Sequence, residues 1–349
     1  MLRSEQRDPL DLKGNNRMND GDPRESILTI ENLRTYFYTR GAVVKAVDGI
    51  NLDIGTSEIL GLVGESGSGK SVTALSIMRL VSSPGVIEDG KIIFKGTDLL
   101  ELSEDEMREI RGDKISMIFQ DPASYLNPIM KVGRQIAEPL TLHRGLNRTK
   151  AAKHVLELMD LVGIPDPKQR VGEYPHQLSG GMKQRVLIAT ALACQPDILL
   201  ADEPTTALDV TIQAQILDLL RELQRSFGSS VVLITHDLGV IAEMCDRVVV
   251  MYAGKVIEVG ETDALLSNPK HPYTAALLES LPRLGEEKDR LQVIPGSVPS
   301  AVTPPPGCRF HPRCSLAEEV CRRELPGVVQ LGDGREVACH RWSKQGGGV

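Results

Sequence analysis

Leu178-Ser179-Gly180-Gly181-Met182-Lys183-Gln184-Arg185 decides the reading of this chain, because it stands between two nucleotide motifs rather than alone. Upstream, Gly64-Glu65-Ser66-Gly67-Ser68-Gly69-Lys70-Ser71 fits G-x-x-x-x-G-K-[ST]. The glycines of such a loop let consecutive backbone N–H groups face phosphate oxygens, and the following helix adds its positive end. The apolar run Ile59-Leu60-Gly61-Leu62-Val63 reads as the strand before the loop, and Ser71–Leu80 as the helix after it. Gly64, Ser66, Gly67 and Gly69 would line the cradle, Lys70 would reach the β- and γ-phosphates, Ser71 would ligate Mg²⁺, and Val72 stands in the first helical turn. Downstream, Ile198-Leu199-Leu200-Ala201-Asp202-Glu203-Pro204 carries an apolar strand to Asp202, a carboxylate at or just beyond the Mg²⁺. Glu203 follows as the group to orient and deprotonate a water, which is the one chemical task phosphoryl transfer leaves to a side chain.

Composition narrows the class. At 349 residues the chain has room for one substantial core and an appendage. A net charge of −7 and a pI near 5.6 disfavour nucleic acid as a partner, since phosphate-backbone binding normally shows as a basic stripe. No run approaches the roughly 18 apolar residues that span a bilayer, and the polar start of the chain lacks a signal-peptide core. The expectation is a soluble intracellular chain whose membrane role comes through a partner.

Residues 1–26 mix charge, Asn and Gly and read as a disordered extension. Ile27–Ile30 and Lys45–Ile54 alternate as half-buried strands. From Leu99 to about Arg185 the pattern turns helical, and Ile198–Leu200, Ile212–Leu223 and Val231–Ile234 then alternate as strand, helix and strand of a parallel sheet. Val248–Met251 and Val256–Val259 flank Ala253-Gly254 as a closing hairpin. Pro304-Pro305-Pro306-Gly307 reads as a linker into a small module with four of the six cysteines.

With its signature segment between the two motifs, the chain resembles the nucleotide-binding subunit of an ABC transporter. His271-Pro272-Tyr273-Thr274-Ala275-Ala276-Leu277-Leu278, Gly307-Cys308-Arg309-Phe310-His311-Pro312-Arg313-Cys314 and Ala338-Cys339-His340 narrow the resemblance to the oligopeptide/dipeptide and nickel importer ATPases, over roughly residues 27–342. It implies an α/β fold: an ABC-type P-loop cassette over 27–265, with a parallel-sheet core, an antiparallel β subdomain and an inserted helical subdomain at about 99–185, then a cysteine-containing region over 266–349.

The resemblance also implies roles. Gln120 matches the glutamine that touches Mg²⁺ and water, His236 the switch histidine that holds the γ-phosphate, and Asp209 the loop linking the two sites of a dimer. Ser179, Gly180 and Gly181 open a helix and would bind the γ-phosphate of the opposite subunit. Phe37 falls where an aromatic stacks on adenine, although Tyr36 and Tyr38 flank it by one residue. Ser57 stands where the family has Gly before Glu58. Implied partners are a second ATPase subunit, different but related, two permease subunits and an extracytoplasmic peptide-binding protein, with this chain at the cytoplasmic face of the plasma membrane. ATP and Mg²⁺ are the implied ligands. A soluble cassette ATPase acting on ribosomes or DNA is the alternative, disfavoured because Lys70 and Ser179 are only 109 positions apart, and nickel or another solute could replace peptide. A tail acting as a redox or iron sensor is a third reading.

Cys308, Cys314, Cys321 and Cys339 have five, six and seventeen residues between them. Structural zinc usually begins with closer cysteines and neither common ferredoxin spacing matches, so spacing leaves iron–sulfur, zinc and no metal open. Some members of the resembled group hold a [4Fe–4S] cluster here. The linker leads us to expect a module remote from every nucleotide motif, with ATP binding indifferent to it. Cys194 and Cys245, among apolar residues, read as core side chains.

Overall fold

The computed structural model describes residues 25–206, 208–280 and 294–343, so the expected disordered extension lies almost wholly outside the described residues. The chain forms two compact units. Gly55–Glu58 and Glu101–Val232 belong to one; Leu28–Ile54, Ile59–Leu100 and the described residues from Leu233 onward belong to the other.

The chain opens with β1 (Ser26–Thr39) and β2 (Ala42–Gly55), followed by β3 (Ile59–Val63), α1 (Lys70–Ile77), β4 (Gly85–Phe94) and β5 (Thr97–Asp98). A four-stranded sheet runs β2-β1-β4-β5. β1 is much longer than its sequence pattern suggests, because its pairing with β4 shifts register on either side of Arg34 and breaks the alternation. Gly90, opposite this irregularity at φ 108°, leaves no room for a side chain: a Cβ there would sit 2.6 Å from the Leu33 backbone.

In the unit built on Glu101–Val232 come α2 (Glu104–Ile110), β6 (Ile115–Ile118), α3 (Pro122–Tyr125), α4 (Val132–Arg144), α5 (Arg148–Leu161), α6 (Pro167–Arg170), α7 (Gly180–Leu192), β7 (Ile198–Asp202), α8 (Val210–Phe227) and the start of β8 (Ser230–Ile234). The stretch from Leu99 is therefore not helical throughout. β6 is a core strand, parallel to β7 with Ile115 opposite Ile198, and the strand order is β8-β7-β6. Four buried apolar-rich residues without polar alternation carry no period, so a strand this short reads like a buried helical turn. The helices beyond it pack through stripes such as Val132, Ile136 and Leu140 on α4 and Val155, Leu158 and Met159 on α5.

The chain continues through α9 (Leu238–Met244), β9 (Arg247–Tyr252), β10 (Lys255–Glu261), α10 (Thr262–Ser267), α11 (Pro272–Glu279), α12 (Glu319–Arg323), β11 (Val329–Gln330), β12 (Glu336–Val337) and α13 (His340–Ser343). β9 and β10 form the expected hairpin, and β9 lies parallel to β3 with Leu60 opposite Arg247. The tail is not a separate bead after its linker. β12 pairs with β10, Val337 opposite Glu258, and extends the sheet in the order β11-β12-β10-β9-β3. Tyr252 of β9, Tyr273 of α11 and Phe310 of the tail share one buried aromatic cluster, with ring centroids 4.6–5.4 Å apart. Cys194 and Cys245 are buried core residues. No helix among the described residues is long and apolar enough to cross a membrane.

Candidate nucleotide site

β3, buried along its whole length, ends at Val63, and the chain turns through the P-loop into α1. The turn depends on its glycines. Gly64, Gly67 and Gly69 have φ of 152°, 78° and 107°, and Gly69 is the N-cap of α1. A side chain on Gly64 would run into the Met251 carbonyl of β9, and one on Gly69 would meet the Ala46 carbonyl at 2.5 Å. Further bonds fix the loop: Ser68 O accepts from Gly254 N at 2.9 Å, and the Glu65 N–H donates to the Tyr273 hydroxyl at 3.0 Å. Lys70 is buried and donates from Nζ to Gly64 O at 2.7 Å and Glu65 O at 3.2 Å, so its ammonium lies over the loop. Ser71 and Val72 stand in the first turn of α1.

The three candidate aromatics divide between the faces of β1. Tyr36 and Tyr38 donate their hydroxyls to Asp48 at 2.5 Å and to Glu88 at 2.8 Å. Burial and the Asp48 hydrogen bond push the Tyr36 phenol up to about 12. Phe37 lies on the other face, with Leu33 and Thr35, and its ring edge rests over Gly85. Thr35 on that face bonds Ser76 of α1 at 2.8 Å.

In the other unit, Asp202 is the buried last residue of β7 and Glu203 follows in the left-handed region at φ 45°. A non-glycine residue held there is sparsely populated backbone, costing roughly 1–3 kcal/mol, and such strain clusters at functional sites. The structure brings Gln120 and Glu203 together: Gln120 Nε2 donates to Glu203 Oε2 at 2.9 Å. Thr206, which the sequence reading passed over, donates its hydroxyl to the same oxygen at 2.8 Å. The carboxylate is aimed by two neutral donors.

Ser179 is the N-cap of α7, accepting from Met182 N at 3.3 Å. A Cβ on Gly180 would meet nothing within 4 Å, whereas one on Gly181 would press on Ile212 of α8 at 3.1 Å. Asp209 caps α8 by accepting from Ile212 N at 2.9 Å. His236 is exposed just beyond β8, beside Asp237, whose carboxylate caps α9. Ser57 has φ 56°, which accounts for the family's glycine at this turn.

The tail departs most from expectation. Arg313 is buried, its side chain only 4% exposed, and donates from Nη1 and Nη2 to Glu65 at 2.7 and 3.1 Å. That pair joins the cysteine-bearing segment to the P-loop itself, so the expected remoteness of the module is wrong. Arg309 similarly donates to Asp48 and to the Ala253 carbonyl. Burial pushes the Asp48 carboxyl upward, but the Tyr36 hydroxyl and the cations Lys255, Arg309 and Lys45 outweigh it and hold Asp48 below its ordinary value. Arg313 lies 248 positions past Glu65, which is why no local pattern shows the contact.

Cys308, Cys314, Cys321 and Cys339 all line one small cavity together with Phe310 and His311. Cys308 N donates to Cys321 O at 2.9 Å. Burial pushes the Cys308 thiol up to about 11 and also raises those of Cys314 and Cys339. Among the described residues no three His, Cys, Asp or Glu side chains are gathered tightly enough to hold a metal ion.

A strand–loop–helix phosphate cradle with an aimed carboxylate after a buried strand defines a P-loop nucleotide-hydrolysing protein. Residues 47–206 match the ABC transporter family, and residues 257–321 match the oligopeptide/dipeptide transporter C-terminal region. A putative peptide import ATP-binding protein of Brucella ovis is 50% identical over 333 residues, 92% of this chain and 98% of its own. The dipeptide transport ATP-binding protein DppD of Bacillus subtilis is 52% identical over 316 residues, 90% of this chain and 94% of its own, and DppD of Escherichia coli K12 is 49% identical over 315, covering 90% and 96%. The dimeric structure of MJ0796, a bacterial ABC transporter cassette, superposes with a TM-score of 0.61 at 31% identity, over 67% of this chain and 98% of that one. The chain belongs to the ATP-binding subunits of ABC transporters, in the branch that carries the oligopeptide/dipeptide C-terminal region.

Proposed function

We propose that this chain hydrolyses ATP to drive peptide import through a membrane permease that it docks against on the cytoplasmic face. The observation that carries the reading is Glu203, held in strained backbone at the end of a buried strand with its carboxylate aimed by Gln120 and Thr206. In this mechanism the P-loop amides from Gly64, Ser66, Gly67 and Gly69 and the Lys70 ammonium hold the phosphates. Ser71, Gln120 and Asp202 would hold Mg²⁺, which supplies charge neutralisation. Phe37 stacks on adenine, favoured over its neighbours because their hydroxyls are already engaged on the opposite face of β1. Glu203 takes the proton of the attacking water, and His236 steadies the γ-phosphate.

Ser179, Gly180 and Gly181 recognise the γ-phosphate held by a second, related subunit, with Asp209 linking the two sites. The open space at Gly180 and the exposed start of α7 support a surface kept for that subunit. A cassette over 27–265 and a tail over 266–349 serve a complex with two permease subunits and an extracytoplasmic peptide-binding protein. Peptide rests on the names of the relatives and on the matched C-terminal region.

The tail fits a [4Fe–4S] cluster in donor type, four thiols around one cavity, and binding would draw them together and displace the protons that burial favours on Cys308, Cys314 and Cys339. Such a cluster would cross-link the tail's segments. Protein purified without oxygen is then brown, with about four iron and four sulfide per chain; a colourless preparation with one zinc or no metal removes the cluster. The peptide reading is tested in vesicles holding the chain, its partner ATPase, the two permeases and the binding protein. Peptide should stimulate ATP hydrolysis, and stimulation by a nickel chelate but not by peptide would reassign the solute.

A further inference from the structure

We propose that Arg313 is a positioning residue for the P-loop, neutralising the Glu65 carboxylate beside the phosphate cradle and holding that loop in its binding shape from the tail. Glu65 follows Gly64 directly, and the loop's carbonyls and amides at this point are the ones that receive Lys70 and donate to Tyr273. An acidic side chain here works against the binding of a polyanion. The two-pronged guanidinium contact cancels that charge in a geometry that also fixes the direction of the carboxylate.

Arg313 is itself set rigidly. Its Nε donates to Pro295 O at 3.0 Å, its Nη1 to the Tyr252 hydroxyl at 3.3 Å and its Nη2 to Ile294 O at 3.3 Å, so every donor nitrogen has a partner. The guanidinium also lies over the Tyr252 ring, 5.9 Å from its centroid. The same residue is bonded in sequence to Cys314, one of the four thiols around the tail cavity. Whatever orders or disorders that segment therefore reaches the Glu65 carboxylate directly through this side chain.

A merely structural Arg313 and a positioning Arg313 differ in what happens when Glu65 is also changed. In the full chain, binding of a fluorescent ATP analogue should weaken roughly 10-fold in Arg313→Ala, the scale of losing a charged hydrogen-bonded contact. Adding Glu65→Gln to that variant should recover most of the affinity, because the bare carboxylate is gone, while the melting temperature stays low because the tail contacts remain broken. Wild-type affinity in folded Arg313→Ala overturns the proposal, as does a double variant that binds no better than the single one. Should Arg313→Ala not fold, Arg313→Lys keeps a cation but cannot make the two-pronged contact. An intermediate loss of affinity, with the rate at saturating ATP unchanged, supports the proposal, and unaltered affinity overturns it.

Discussion

The P-loop and the signature turn are both glycine-rich entries into helices, yet they are built on opposite principles. At the P-loop two glycines are closed in, Gly64 by the Met251 carbonyl and Gly69 by the Ala46 carbonyl, with Gly67 open between them, and Glu65 is held by Arg313 and Tyr273. At the signature turn Ser179 only caps its own helix, and Gly180 faces open space. One loop has its shape imposed by its own chain, as a site that must receive a polyanion without reorganising requires. The other is left open at its first glycine, as the proposed contact with a second subunit would require.

Chemistry should break that symmetry hardest. Glu203→Gln keeps the Gln120 and Thr206 neighbours but removes the proposed base, so turnover should fall about 10²–10⁴-fold while ATP binding persists, as single-turnover hydrolysis and equilibrium binding would report. Near-normal turnover would take the base role from Glu203. A matched pair of alanines then tests the two loops directly. Gly64→Ala forces a Cβ against Met251 at a φ of 152°, and should abolish measurable nucleotide binding and cost on the order of 2–4 kcal/mol of stability. Gly180→Ala meets nothing and should stay within about 0.5 kcal/mol in denaturant unfolding. Equal costs for the two would erase the distinction.

A further test concerns acid. His271 accepts the Tyr273 N–H at Nδ1, 3.0 Å away, and its backbone N–H donates to Glu258 Oε2 at 2.9 Å. Burial depresses its imidazole to about 3. Between that value and its ordinary one near 6.5 the unfolded chain carries a proton that the folded chain refuses. The contribution of this group is therefore full above pH 6.5 and is lost as pH drops toward the folded value, by at most about 1.4 kcal/mol per pH unit. His271→Asn, which can still cap α11, should flatten the acid side of a stability–pH profile, and an unchanged slope would show that other groups govern it.

What could be read from the sequence was contiguous. Gly64–Ser71, Ile198–Glu203, the Ala253-Gly254 turn and Leu178–Arg185 each carry their geometry within a few residues, so pattern suffices. β6 escaped because Ile115–Ile118 is too short for a period, and the continuation of β1 beyond Ile30 because its register shifts around Arg34 break the alternation. Thr206 lies three residues past Glu203, but a hydroxyl in a loop signals nothing until its partner oxygen is known. Arg313, between Pro312 and Cys314, carries no local signal because its partner Glu65 lies far up the chain.

The tapering edge of the longer sheet has a consequence for solubility. β10 runs seven residues, yet it is followed outward by two-residue β12 and two-residue β11. A long strand left at a sheet margin offers its unmatched amides and carbonyls to any neighbouring chain, and very short outer strands are one way proteins deny that opportunity. Pro304–Gly307 invites trimming as a domain boundary, but a chain cut there would bare the margin of β10 to its fellows. Its first symptom would be precipitation in the cell, well before any loss of ATP turnover could be measured.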